Sequence, residues 1–394
     1  MTNEQSYFLK LLAAFLNRQT APPPVDIDGE KLFLLAEGQG LSGVVGYMLQ
    51  SHPDLPDAHT AALFSRRFYE TVFLFSRMRE QVDRWRERFN AAGIPYALLK
   101  GAVLQEWYPA PELRTYGDVD VFLERQYIPQ LRELLASENR EIIFENEEEI
   151  VVRELSQIVE FHFDLTMDAG TDSPQLLAYL GNTAVHMTAG KTEFERVLDA
   201  DFHFIYLLSH QMHHFREGSA GVRTFMDLAV FLQSGQISDM QEIQKKLTAF
   251  GMDGYAAVAL GLTARWFDVP SPFSEEMTAK DAAFAANYIL SAGQFGFQQS
   301  REAVKVQKQM NHRFPRLSAV LVSLFPPKES LKKDGRYAAL AQKSLLLAWL
   351  KRFFHAVCHR RQYIKATARG IWNATDTARE RAHMLELLHV KNGG

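Results

Sequence analysis

Asp118 and Asp120 lie in the run Gly117-Asp-Val-Asp-Val121, where acidic and apolar residues alternate. In an extended strand, residues two apart share a face, so both carboxylates point one way while Val119 and Val121 enter a core. Two anions held that close repel each other, and a hard divalent cation between them relieves the repulsion. Phosphoryl transfer uses such a cation, because it neutralises triphosphate oxygens during attack at the α-phosphorus. A short Asp-x-Asp pair is also what a solvent-facing strand end looks like, so the chemistry needs further residues to support it.

A second alternating run, Val159-Glu-Phe-His-Phe-Asp-Leu165, places Glu160, His162 and Asp164 on one face and Phe161, Phe163 and Leu165 on the other. If this strand pairs beside the Asp118 strand, Glu160 reaches the same metals, as a third ligand or as the base that takes a proton from an acceptor hydroxyl. His162 reads as a structural imidazole, or one that orients a ligand, more readily than as a ligand itself. Arg114 precedes Asp118 by four residues, in the loop entering the strand. Its guanidinium could clamp a phosphate or carboxylate, or offset the charge of the aspartate pair. His210, His213 and His214 have helical metal spacing, but the Glu of His-Glu-x-x-His is missing and no Cys is near. A hydrolase built on a histidine-bound metal is therefore a minor reading.

The elements that must hold these residues follow from periodicity. Helices are expected over Glu4–Asn17, Gly29–Ala36 and Ala58–Ala92, the last closed by Gly93 and Pro95. The period then changes. Short strands are expected at Tyr96–Leu99, Gly117–Leu123, Glu141–Phe144, Glu149–Glu154 and Gln157–Leu165, with helices at Val103–Trp107 and Tyr127–Ala136. From Asp199 onward the pattern is helical: Leu207–Phe215, Val222–Leu232, Met240–Phe250, Tyr255–Phe267 and Ala279–Leu290. The expected division is a helical region over 1–92, an α/β domain with a mixed sheet over 93–198, and a helical domain over 199–394.

Composition sets the outer bounds. The chain has 394 residues, 47% of them hydrophobic and 23% charged, which suits a folded protein of two or three domains. A net charge of -4 gives no global reason to expect nucleic acid as partner. The basic C-terminal positions Lys351, Arg352, Arg360, Arg361, Lys365 and Arg369 fit a solvated helix face or contact with an anionic acceptor. Cys358 is the only cysteine, so no internal disulfide can form. There is no secretory signal pattern and no apolar run of the roughly 18 residues a membrane span needs. A cytoplasmic location is the expectation.

The residues Leu99-Lys100-Gly101, Tyr108-Pro109, Arg114, Asp118-x-Asp120 and Glu160-Phe-His162 together resemble the uncharacterised nucleotidyltransferases of the polymerase β superfamily. The resemblance covers roughly Pro95 to Leu165. It implies a nucleotidyltransferase-type α/β domain flanked by helical segments. It also implies an enzyme that moves a nucleoside monophosphate from a triphosphate, ATP being the expected one, to a hydroxyl-type acceptor on a small molecule or protein. Asp118, Asp120 and Glu160 would bind two Mg2+ (or Mn2+) ions. Gly101 would begin a helix facing the triphosphate, where free backbone N–H groups favour an anion, and Lys100 would add charge there. A His-containing helix followed by an Arg-x-x-x-Asp helix packs against the nucleotide domain in this family, and Arg223 and Asp227 fit that place. They could pair with each other or reach nucleotide or acceptor. The chain departs from the wider superfamily in having Gly101-Ala102 where Gly-Ser is usual, and Glu160 where Asp is common. The first departure supports an alternative: a catalytically inactive nucleotide-binding or partner-binding module of a biosynthetic operon.

Overall fold

Capping and apolar spacing account for the helices that open the chain. The computed structural model describes all residues except 53–56, 155–156, 271, 274–276, 294–299, 311–313, 329–330, 332–337, 360–368, 373 and 392–394. Helices α1 (Asn3–Leu16), α2 (Gly29–Gly38) and α3 (Ser42–Leu49) precede the 35-residue α4 (Ala58–Ala92). Asp57 caps α4 by accepting from the Thr60 N–H, and Gly93 ends it at a left-handed φ of 67°. Helix α3 was not anticipated, because Gly43 and Gly46 interrupt the pattern that sequence alone displays. Both glycines are there for close approach, since a Cβ would meet the Thr71 side chain and the Phe64 carbonyl of α4.

Seven strands form one mixed sheet. They are β1 (Tyr96–Leu98), β2 (Asp118–Phe122), β3 (Glu141–Glu145), β4 (Glu149–Glu154), β5 (Gln157–His162), β6 (Met187–Ala189) and β7 (Glu195–Leu198). Their order is β3-β4-β5-β2-β1-β7-β6. The β2/β5 and β1/β7 pairs are parallel, and the other four are antiparallel. Short α5 (Gly101–Leu104) follows β1, and α6 (Ile128–Ser137) follows β2. Strands β6 and β7 and helix α7 (Pro174–Gly181) are additions to the elements expected from periodicity. Strand β5 also stops at His162, short of the expected Leu165. The chain turns there because the Asp164 carboxylate accepts from the Thr166 N–H at 2.9 Å and pairs with Arg125 at 3.0 Å.

The sheet has a dry face and an acidic face. Val119, Val121, Val159 and Phe161 are fully buried on the dry face with Met78, Val82, Trp85 and Phe89 of α4 and Leu131 and Leu135 of α6. Ring centroids of Trp85 and Phe161 lie 5.0 Å apart, edge to face. Alternation therefore turns Asp118, Asp120, Glu160 and His162 to the other side. The chain continues through α8 (Ala200–Glu217), α9 (Val222–Gln233), α10 (Met240–Ala249), α11 (Asp253–Phe267) and α12 (Ala279–Ala292). These belong to one compact unit, Met1–Gln294 with Leu388–Val390. A second unit comprises Phe295–Leu387 and Lys391–Gly394. Its core includes Ala303, Val306, Ala319, Ile371, Ala374 and Ala378. Of the basic C-terminal positions, Arg360, Arg361 and Lys365 lie outside the described residues. Among the described residues, no helix is long and apolar enough to cross a membrane.

Candidate functional site

Parallel pairing of β2 with β5 sets Asp120 directly opposite Glu160, and Phe122 opposite His162. Glu160 thus stands on the same face as the aspartate pair, on the adjacent strand. Donor atoms of Asp120, Glu160 and His162 all lie within 4.8 Å of one another. His162, expected as a structural or ligand-orienting imidazole, contributes a ring nitrogen to this group. Its Nε2 is 2.9 Å from Asp120 Oδ1 and 3.7 Å from Glu160 Oε2. Asp118 sits one strand repeat before Asp120, half-buried at the sheet's end. Asp164, expected on this face, is drawn off by the turn at Thr166 and by Arg125.

The charges here are strongly perturbed. Burial raises the Asp118 carboxyl, and the neighbouring Asp120 raises it further. Burial and then Asp120 and Asp118 push Glu160 up to about 7. Asp120 goes the other way. Burial alone would raise it, but the Lys100 ammonium and the His162 hydrogen bond hold it well below the usual carboxylate range. His162 is raised overall, since its bond to Asp120 outweighs the burial that would lower it. The ionised Asp120 thus favours the protonated form of Glu160 beside it.

Lys100 reaches this cluster from the turn after β1. Its Nζ lies 2.9 Å from Asp120 Oδ1 and 3.4 Å from Asp168 Oδ2. Asp168 was not singled out in the sequence, because Thr-Met-Asp beyond a strand has no periodicity to betray it. Its carboxylate accepts from Tyr206 OH at 2.6 Å and faces His210 Nδ1 at 3.1 Å. The following residue, Gly101, starts α5 where a Cβ would be 2.8 Å from Tyr116 Cβ. Ala102 is buried in the apolar cluster that includes Val119 and Val121. A serine hydroxyl at 102 would accordingly enter a core.

Arg114 stands with Asp227 instead of the aspartate pair. Its Nε and Nη2 donate to the two Asp227 oxygens, each at 2.7 Å, and Tyr108 OH donates to the same carboxylate at 2.6 Å. Both partners are under a tenth exposed, so the fork satisfies charges that solvent cannot. Arg223, the expected helical partner of Asp227, donates to the Thr115 carbonyl at 3.0 Å. Burial and the nearby Arg114 lower its pKa to about 10, while Asp227, Tyr108 and Asp118 favour its charge. The motif thus divides. Arg114 and Asp227 tie the loop before β2 to α9, and Arg223 lies within electrostatic reach of Asp118.

The three histidines of α8 do not form a metal group. His210 and His214 face each other at 2.9 Å through their Nε2 atoms, but His210 Nδ1 is turned to Asp168. Among the described residues, Asp120, Glu160 and His162 are the only set of three whose donors converge. Two carboxylates and one imidazole, with Asp118 adjacent, are groups that could hold a metal ion.

Residues 26–268, more than half of the chain, match the family described as uncharacterised nucleotidyltransferase. No curated protein and no solved structure matches the chain.

Proposed function

The chain belongs to the uncharacterised nucleotidyltransferase family, and from that membership we propose that it transfers a nucleoside monophosphate from a triphosphate to a hydroxyl-type acceptor on a small molecule or protein. The observation that carries the reading is the register of β2 on β5, which sets Glu160 against Asp120 with His162 beside them. The α/β domain over 93–198 would hold the chemistry. Asp118, Asp120 and Glu160, joined by His162, would hold divalent metal, Mg2+ or Mn2+. When bound, the metal supplies charge neutralisation for the triphosphate.

The remaining work falls to the chain's own side chains. The backbone N–H groups of the turn at Gly101 are proposed to face phosphate, and Lys100 adds a cation beside it. Arg223 lies on the Asp118 side and is proposed to meet the triphosphate. Arg114 and Asp227 act indirectly, by holding the loop that delivers Asp118. The acceptor oxygen forms a bond to the α-phosphorus as the bond to the bridging oxygen breaks, and pyrophosphate leaves. Glu160 would serve either as the third metal ligand or as the base that takes the acceptor's proton. ATP is the proposed donor, and the cytoplasm, with its magnesium and nucleotide, the proposed location.

Calorimetry with ATP, GTP, CTP and UTP, with and without Mg2+, tests this on the wild type and on Asp118→Asn/Asp120→Asn. The expected result is Mg2+-dependent binding of one triphosphate that the double variant loses. Binding that ignores both substitutions would remove them from the site. Binding without pyrophosphate release across a broad acceptor panel would favour the second reading, a nucleotide-binding or partner-binding module. That reading draws on Lys100, whose ammonium is already engaged by two carboxylates.

A further inference from the structure

We propose that Lys100 is the resident counter-ion of the metal site, competing with a divalent cation for Asp120, and that Asp168 is the positioning residue that sets how strongly it competes. The inference rests on the metal-binding reading above and adds to it Asp168, Tyr206 and His210.

Lys100 adopts φ 46° and ψ -121°, a strained conformation that favours glycine. A long side chain held this way is fixed by what it reaches. Here the ammonium lies between Asp120 and Asp168, with both its own side chain and that of Asp168 largely buried. It also sits 5.8 Å from the centre of the Tyr206 ring. Asp168 is itself fastened from α8 by the Tyr206 hydroxyl at one oxygen, and His210 Nδ1 stands 3.1 Å from the other. These two α8 residues are one turn apart and form a single anchoring face.

At Asp120, Oδ1 takes both Lys100 Nζ and His162 Nε2, each at 2.9 Å. A lysine cation that close to a metal ligand repels an incoming divalent ion, and the repulsion is large at the short range and reduced dielectric of a partly buried site. Asp168 draws part of that charge away. Without it, Lys100 would bear on Asp120 alone. A plain phosphate-cradling lysine predicts something different, since its removal would weaken nucleotide binding and leave the metal alone.

The test measures Mn2+ binding without nucleotide, by the electron paramagnetic resonance signal of free Mn2+. Lys100→Met should bind Mn2+ about tenfold more tightly than the wild type, or better. Asp168→Asn should bind it several-fold more weakly, Tyr206→Phe less so in the same direction, and circular dichroism checks that each variant is folded. In the Lys100→Met background, Asp168→Asn should change little, because its effect runs through Lys100. Unchanged or weaker Mn2+ binding in Lys100→Met overturns the proposal, as does an Asp168→Asn effect that persists in the double variant. Mn2+ binding by Lys100→Met but not by the wild type sustains the counter-ion and sinks the metal-dependent reading of the native protein. No binding by either overturns both.

Discussion

At the scale of single residues, charge balance decides which acid does what. Asp120 is ionised because Lys100 and His162 both donate to it, and that ionisation helps keep Glu160 protonated up to about 7. The linkage consequence has a definite sign. Glu160 has an ordinary value near 4.5 and a folded value near 7, so the folded state holds the extra proton between them. Its contribution is fully present below about pH 4.5 and is lost as pH rises through 7. The metal-free protein should lose stability over that window, with a ceiling of about 1.4 kcal/mol per pH unit that partial solvent exposure reduces. Raised His162 slopes the same way, so the informative comparison is with Glu160→Gln. Denaturation midpoints from pH 5 to 8 should flatten in that variant. Equal slopes in the two proteins would show that Glu160 does not carry the shifted proton. Asp120 and Asp168, both depressed, act oppositely, and their contribution disappears only on acidification below the usual carboxylate range.

At the scale of elements, the site depends on one parallel pairing and one close approach. Strand β2 can put Asp120 opposite Glu160 only because Val119, Val121, Val159 and Phe161 must all face α4, which fixes the side-chain parity of both strands. Gly101 supplies the close approach. Its backbone passes Tyr116, two residues before Asp118, at a distance that leaves no room for a Cβ. Gly101→Ala should therefore push on the loop entering β2, costing about 1–3 kcal/mol in urea denaturation. It should also weaken Mn2+ binding at the proposed site of Asp118, Asp120 and Glu160. A variant as stable as the wild type would mean that the loop yields freely.

At the scale of the whole molecule, the family match, residues 26–268, lies entirely within the unit formed by Met1–Gln294 and Leu388–Val390. The second unit has its own small core. Ligand binding stabilises the part that binds, by an amount set by concentration over the dissociation constant. Scanning calorimetry should accordingly show two transitions, of which Mn2+ with a nucleoside triphosphate raises only one. Both transitions moving together, or a single one, would mean that the two units melt as one.

The alternation of Asp118-x-Asp120 and of Glu160-x-His162 was legible because strand parity is written in consecutive residues, and so were the length of α4 and the helical run after 199. Local pattern also sufficed for the family resemblance, since its motif residues fall in short runs. Strands β6 and β7 were not legible, being three and four residues long and mostly half-buried or exposed. The partners of charged groups were hidden for another reason. Arg114 meets Asp227 across 113 positions, and Lys100 meets Asp168 through a side chain fixed by Tyr206 and His210 on α8. Sequence determines which residues share a face; only packing of distant elements decides which charge each one answers, because a buried ion takes the nearest counter-charge in space, however far along the chain it lies.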